Sequence, residues 1–169
     1  NRVERYTDQL KSLTINTKKT ADAILRSLEQ NDFVAYFQPQ FDATTLEING
    51  VEALARWDHP EEGIIGPDRF LKIAESLNVV SQIDAAILDQ ALLEHTRWLA
   101  NDLAIDKVSV NISAQRLFDE TLLQRLDQLD LIPGSLSFEL LESISFDDKG
   151  AAVTSSIERI KAYGIDIEI

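Results

Sequence analysis

The sequence of 169 residues contains no cysteine and no methionine. The lack of cysteine excludes disulfides, thiolate nucleophiles and cysteine-based zinc sites within it. It also lacks any apolar run near the roughly 20 residues that a membrane-spanning helix needs, and no signal peptide is recognisable. We therefore expect a soluble, cytoplasmic segment. Any membrane anchor of the parent protein would lie in segments outside it. The missing methionine and the start at Asn1 indicate a piece of a longer protein.

Basic residues are also scarce, with 16 Lys and Arg against 29 Asp and Glu and a net charge of -13. Binding of DNA or RNA normally needs a basic face, so we expect neither as a partner. A small phosphate ligand is a different case, because one arginine and bound cations can neutralise it locally. No glycine-rich phosphate loop is present, which argues against Rossmann and P-loop folds.

Strands and helices are predicted to alternate along most of the chain. An amphipathic helix carries apolar residues from Ala21 to Leu28, and no clear period precedes residue 17. The predicted strands cover residues 33–41, 46–57, 107–113, 136–142 and 165–169, and the further helices cover 68–77, 82–99, 114–129 and 151–163. The strand at 46–57 carries a turn or bulge signal at Asn49-Gly50. This order predicts an α/β fold with a parallel sheet, either open or closed into a barrel.

Three of the predicted strands carry one aliphatic face and one polar face, because side chains alternate along a strand. The polar faces hold Glu52 and Arg56, then Asn111, and then Glu139. In a barrel these side chains would converge inside, near the ends of the strands where barrel enzymes hold their active sites. Two carboxylates and an amide oxygen would suit Mg²⁺ or Mn²⁺. The structural alternative is that Glu52 pairs with an arginine and Asn111 satisfies backbone groups.

Five motifs in order make the chain resemble the EAL domain family. They are YFQP at 36–39, EALARWDHP at 52–60, GPDRFLKIAE at 66–75, VNIS at 110–113 and ELLE at 139–142. The sequence departs from the family pattern at Leu141, where a threonine is usual, and at Glu168, where a small residue is usual. The resemblance covers residues 33–169 and is too ordered to be coincidence.

The resemblance implies a modified TIM (β/α)8 barrel with an antiparallel first strand, of which about five strands lie in this sequence. It implies metal-dependent hydrolysis of cyclic di-GMP to linear pGpG, with two Mg²⁺ or Mn²⁺ ions. By motif position the metal ligands are Glu52, Asn111 and Glu139, and Glu52 acts in catalysis through the metal. The same matching places Gln38, Leu54 and Arg56 in the substrate groove, and gives Glu142 the role of stabilising the loop after its strand.

The resemblance also implies partners and domain boundaries. Residues 1–20 are interpreted as the tail of an upstream GGDEF (diguanylate cyclase) domain with its connector, and residues 21–169 as the first part of the EAL domain. A homodimer through EAL domains is expected.

The resemblance places part of the active site outside this sequence. The family continues past Ile169 with a DDFG-like motif, and the remaining catalytic groups are expected there. Residues 1–169 alone are therefore not expected to hydrolyse the substrate efficiently. The alternative hypothesis is a degenerate domain that acts as a cyclic di-GMP receptor or a protein-interaction module.

Overall fold

A computed structural model describes residues 8–103, 105–140 and 146–168. Six helices and six strands are present in this part of the chain. In order they are α1 (Asp8–Gln30), β1 (Phe33–Phe41), β2 (Ile48–His59), β3 (Gly63–Ile65), α2 (Pro67–Ser76), α3 (Val80–Ala100), β4 (Val108–Ile112), α4 (Ala114–Leu117), α5 (Glu120–Leu126), β5 (Leu136–Leu140), α6 (Phe146–Lys161) and β6 (Asp166–Glu168). Within the described ranges no helix is both long and apolar enough to cross a bilayer.

The strands form one mixed sheet in the order β1-β2-β4-β5-β6, and β3 extends β2 as a short hairpin. β1 and β3 run antiparallel to β2, whereas β2, β4, β5 and β6 run parallel to one another. The predicted α/β class and the antiparallel first strand are confirmed. Asn49 is the extra residue in β2, because the register shifts between the pairs Gln40–Gly50 and Phe41–Ile48. The bulge signal at Asn49-Gly50 is therefore also confirmed.

Burial of the aliphatic faces of the central strands sets their orientation. Val108, Val110 and Ile112 of β4 are completely buried, and Leu136, Phe138 and Leu140 of β5 are at most 4% exposed. α3 supplies Ile83, Ile87 and Leu88 to the same core. Since side chains alternate along a strand, this packing turns the polar residues of both strands to the opposite face of the sheet.

Aromatic residues pack α1 and α2 against the first two strands. The rings of Phe33 and Trp57 stack with 5.8 Å between centroids, and Phe70 of α2 meets Phe33 edge-to-face at 5.3 Å. The indole Nε1 of Trp57 donates to Ser27 Oγ of α1 over 2.9 Å, and that hydroxyl donates to Asp32 at 2.8 Å. A buried tryptophan needs a partner for its N–H, and α1 provides it.

Three element predictions are wrong in detail. α1 begins at Asp8, because polar residues of good helical propensity continue the helix ahead of its apolar stripe. The single helix predicted over 114–129 is two helices, since α4 ends at Leu117 and Asp119 caps a new helix, α5, by accepting from the Thr121 N–H at 2.9 Å. β3 was not predicted; it is made possible by Gly63, whose φ of 71° suits the tight turn after β2.

The last predicted strand is present but is described over a shorter range. It was expected over residues 165–169, and β6 covers Asp166–Glu168 in parallel pairing with β5. Ile165 is buried just ahead of the strand. Ile169, the final residue of the expected strand, lies outside the described residues.

A partly buried carboxylate connects α3 to the exit of β4. Asp84 Oδ2 accepts a hydrogen bond from the backbone N–H of Ser113 at 2.9 Å. Burial raises the pKa of Asp84 from its ordinary value of 3.8 to about 6, although hydrogen bonds from Ser113 and the charge of Arg116 act in the opposite direction. The ionised carboxylate is thus held in a place that disfavours its charge.

Replacing Asp84 with Asn should stabilise the protein at neutral pH. Because the folded-state pKa lies above the unfolded value, the stability contribution of Asp84 is complete below about pH 4 and is lost as the pH rises through about 6. The advantage of Asp84→Asn should grow over that interval to at most about 3 kcal/mol. Urea unfolding of both proteins from pH 4 to pH 8 measures the difference, and a constant difference would contradict the expectation.

Candidate metal centre

Three predicted site residues meet on the polar face of the sheet. Asn111 of β4 and Glu139 of β5 are direct cross-strand neighbours. The side chain of Asn111 reaches the other way to β2, where its Nδ2 lies 2.8 Å from Glu52 Oε1. All three side chains are half-buried. The structure therefore brings together an acid, an amide and a second acid from three adjacent parallel strands.

The electrostatics of this cluster disfavour two ionised acids. The pKa of Glu139 is raised first by burial, and further by the negative charges of Glu52 and Glu168 and a hydrogen bond with Glu52. A hydrogen bond with Gln40 acts in the opposite direction. Like charges this close in a half-buried place repel each other, and a bound cation would relieve that repulsion.

The chemistry of the donors fits a hard divalent cation. Carboxylate oxygens from Glu52 and Glu139 and the amide oxygen of Asn111 are the ligand types that Mg²⁺ and Mn²⁺ prefer. The amide of Asn111 donates to Glu52 here, and a half-turn of its terminal group presents Oδ1 to the same point. In the described ranges, no three acidic, histidine or cysteine side chains are grouped closely enough to hold a metal. The centre consequently depends on the asparagine and on further oxygen ligands.

The other predicted groove residues lie along the same face. Gln38 of β1 is exposed and stands directly opposite Glu52, and Leu54 stands opposite Tyr36. Arg56 lies four residues beyond Glu52 on β2, which corresponds to roughly 13 Å along the strand. The predicted convergence therefore holds for Glu52, Asn111 and Glu139, but Arg56 occupies a separate position above them.

Arg56 is held without an acidic partner. Its Nη1 donates to the carbonyl oxygen of Ala55 over 2.8 Å, and its guanidinium carbon lies 5.9 Å from the centroid of the Tyr36 ring. It forms no ion pair with any carboxylate in the described part of the chain. Most of its donors thus remain available to an anion. The structural alternative that Glu52 pairs with an arginine is not what the structure shows, because Glu52 bonds to Asn111.

A polar network below the cluster was not predicted. The hydroxyls of Ser109 and Ser137 are completely buried and lie 2.7 Å apart. Lys107 Nζ lies 2.9 Å from Glu168 and 3.3 Å from Asp166, and the bond from Lys107 lowers the pKa of Glu168. The unusual Glu168 therefore has a structural partner two strands away. The sequence feature that could have indicated this pair is Lys107, which directly precedes β4 and is in phase with Ser109 and Asn111.

Three positions named in the sequence predictions, Leu141, Glu142 and Ile169, lie outside the described residues. The predicted role of Glu142 in stabilising the loop after β5 remains a prediction. The same applies to the expected effect of Leu141 at the position where the family has threonine. The expectation that the remaining catalytic groups lie beyond Ile169 is likewise still a prediction, because it concerns residues that follow this sequence.

Comparison with known proteins agrees with this fold and identifies a family. The family model of the EAL domain matches residues 21–169. The bifunctional diguanylate cyclase/cyclic di-GMP phosphodiesterase MucR of Pseudomonas aeruginosa is 32% identical over 148 residues, which cover 85% of this chain and 22% of MucR. Cyclic di-GMP phosphodiesterase PA2567 of the same organism is 29% identical over 161 residues, covering 90% of this chain and 27% of that protein. The chain thus spans about a quarter of the length of these curated relatives.

Solved structures match over most of the chain. A structure of the PaMucR phosphodiesterase in complex with c-di-GMP aligns with a TM-score of 0.78 and 31% identity, covering 88% of this chain and 62% of that one. The EAL enzyme Bd1971, in its form bound to cAMP and cyclic di-GMP, aligns with a TM-score of 0.77 and 25% identity, covering 91% and 44%. The mixed sheet with its antiparallel first strand is therefore the arrangement of a known fold.

Replacing Glu52 with Gln should lower the pKa of Glu139. The substitution removes a negative charge beside Glu139, whereas its burial and the charge of Glu168 persist, so the pKa should fall but stay above its ordinary value. NMR titration of labelled glutamate carboxyls measures this shift in metal-free protein. The exposed Glu29→Gln serves as the control and should leave the titration of Glu139 unchanged. An unmoved pKa in Glu52→Gln would show that the two acids do not interact.

Proposed function

The chain belongs to the EAL domain family, and from that premise we propose that it contributes to the metal-dependent hydrolysis of cyclic di-GMP to linear pGpG. The observation that carries the proposal is the convergence of Glu52 and Asn111 at 2.8 Å, with Glu139 as the cross-strand neighbour of Asn111. The names of two relatives as cyclic di-GMP phosphodiesterases support the choice of substrate.

The proposed metal ligands are Glu52, Asn111 and Glu139, and the proposed ions are Mg²⁺ or Mn²⁺ in a two-metal site. When bound, such cations lower the pKa of a coordinated water and offset the charge on a phosphoryl group. The two carboxylates and the amide supply oxygen donors from three strands whose aliphatic faces are locked in the core. Glu52 thereby has its catalytic role through the metal. Further ligands and the remaining catalytic groups are proposed to lie beyond Ile169.

Arg56 is the proposed phosphate-binding residue. Its planar group of donors matches the non-bridging oxygens of a phosphodiester, and Tyr36 supports the guanidinium from one side. Gln38 and Leu54 are proposed to line the groove, since Leu54 lies between Glu52 and Arg56 on β2 and Gln38 stands beside Glu52 on β1. Hydrolysis adds one water across one phosphodiester bond of the cyclic dinucleotide, leaving a 5′-phosphate and a 3′-hydroxyl.

The acidic surface is consistent with a small anionic ligand only if its charge is neutralised locally. The net charge of -13 repels phosphates at a distance, so binding depends on Arg56 and on the cations. This dependence supports a requirement for metal in substrate binding as well as in the reaction.

The wider organisation of the protein is proposed on the same premise. Residues 1–20 are the tail and connector of an upstream GGDEF domain, and residues 21–169 are the N-terminal part of the EAL domain. The proposed location is the cytoplasm, and the proposed assembly is a homodimer through EAL domains. Glu142 is proposed to stabilise the loop after β5.

Removal of the metal ligands should abolish hydrolysis. In the full-length protein, Glu52→Gln and Asn111→Ala should each lower kcat by about 100-fold or more, because each removes a donor that holds the cation. EDTA should stop the reaction and Mn²⁺ should restore it in the wild type. Chromatography of the product pGpG measures the rate. If the wild type binds cyclic di-GMP but forms no pGpG with either Mg²⁺ or Mn²⁺, the receptor hypothesis replaces the enzyme.

Replacing Arg56 with Ala should act mainly on substrate binding. The loss of charge-assisted hydrogen bonds to a phosphate should raise KM by about tenfold or more. The matched control is Arg69→Ala, because Arg69 is exposed and pairs with Glu62 away from the groove. Initial rates over a range of cyclic di-GMP concentrations separate KM from kcat. An unchanged KM in Arg56→Ala would remove Arg56 from the substrate site.

A further inference from the structure

Asp84 lies behind the candidate centre, on the helix that covers β4. α3 packs against β4 through buried residues on either side of Asp84, including Ile83, Ile87 and Leu88. The carboxylate is therefore attached to an element that is fixed against the core. From this position Oδ2 accepts the backbone N–H of Ser113 at 2.9 Å. That N–H belongs to the first residue after β4 and two residues after Asn111.

Ser113 extends this connection into the next helices. Its hydroxyl caps α4 by accepting from the Arg116 N–H at 3.2 Å. Arg116 is 4% exposed, and its Nη1 donates to Asp119 at 3.1 Å and to Thr121 Oγ1 at 2.7 Å. A continuous set of polar contacts thus joins α3, the exit of β4, α4 and the start of α5. The exit of β4 lies in the middle of it.

We propose that Asp84 is a positioning residue for the metal ligand Asn111, because its hydrogen bond to Ser113 fixes the backbone where the ligand-bearing strand ends. The inference rests on the proposed role of Asn111 in metal binding. Asn111 has to present its amide oxygen at the point that Glu52 Oε1 also faces, and the two side chains are already within 2.8 Å. Metal sites require their ligands to be held within about 0.5 Å by surrounding contacts.

The burial of Asp84 supports a specific role for its acceptor oxygen. Water outside the core would solvate a carboxylate better, and the raised pKa of Asp84 shows that burial disfavours its charge. A helix cap alone does not need this group, since the Ser113 hydroxyl already caps α4. What Asp84 adds is a bond from α3 to the backbone beyond Asn111.

Two substitutions separate the position of the acceptor from its charge. Asp84→Asn keeps an acceptor oxygen at the same place and removes the charge, whereas Asp84→Glu keeps the charge and moves the oxygen by one methylene. Asp89→Asn is the matched control on the same helix, because Asp89 pairs with Arg125 at the exposed surface. Ser113→Pro tests the contact from the other side, since it removes the donor N–H. It also removes the hydroxyl that caps α4, so Ser113→Ala, which keeps the N–H, is its control and should bind Mn²⁺ more tightly than Ser113→Pro. The φ of -72° at Ser113 suits proline.

The experiment is a titration of the full-length protein with Mn²⁺, followed by the EPR signal of the free ion. Asp84→Glu and Ser113→Pro should each weaken Mn²⁺ binding by about tenfold. Asp84→Asn should stay within about twofold of the wild type, and Asp89→Asn should be unchanged. Binding of Mn²⁺ by Asp84→Asn at close to the wild-type affinity would show that the position of the acceptor oxygen matters and that its charge does not. Circular dichroism establishes that each variant is folded, and Ser113→Pro decides the test if Asp84→Glu does not fold.

Two outcomes would overturn the inference. Either Mn²⁺ binds to the folded Asp84→Glu or Ser113→Pro variant as it does to the wild type, or Asp84→Asn loses as much affinity as Asp84→Glu. Asn111→Ala distinguishes this failure from failure of the proposed function. If Asn111→Ala weakens Mn²⁺ binding while the Asp84 and Ser113 variants do not, only the positioning role fails. If Asn111→Ala binds Mn²⁺ normally, the ligand assignment fails together with it.

Discussion

Burial of one face of each central strand is the constraint on which the site depends. The aliphatic residues of β4 and β5 are enclosed under the helices, with Val110 and Phe138 completely buried. A shift of either strand by one residue would expose this face and bury Asn111 and Glu139 in its place. The core therefore determines the position of the site, although the two share no side chains. The free energy gained by packing the aliphatic face offsets the electrostatic repulsion between the acids on the other face.

The polar face has two charged layers that differ in how they are balanced. In the lower layer Lys107 forms ion pairs with both Glu168 and Asp166, so that one positive charge partly offsets two negative charges. In the upper layer Glu52 and Glu139 have no cationic partner among the described residues, and the charge of Glu168 adds to the repulsion that Glu139 experiences. Structural and functional acids are often hard to tell apart, and here the presence of a lysine separates them. The layer without a cationic partner, which holds Glu52 and Glu139, is the one that fits a bound cation.

The alternation of aliphatic and polar residues was enough to predict five of the six strands and the meeting of Glu52, Asn111 and Glu139. This worked because strand phase is a local property of the sequence. The break at Asp119 was missed, because a capping aspartate inside an apolar helical pattern looks the same as a solvent-exposed one. The Lys107–Glu168 pair joins residues 61 positions apart, and the bond from Asp84 to Ser113 joins residues 29 apart. Contacts of this kind depend on strand order and helix packing, which a single sequence does not reveal.

Pro39 in β1 has a consequence for whatever lies beside that strand. Val51, its partner on β2, directs its own N–H to Lys107 on the far side, so Pro39 and Val51 form a pair without mutual hydrogen bonds. The proline nitrogen consequently faces the outer edge of the sheet, where it offers no donor. Any strand that lies along this edge must leave one carbonyl unpaired next to Gln38. A gap in backbone pairing is thereby built into the outer edge at Pro39, next to Gln38, which is the cross-strand partner of Glu52.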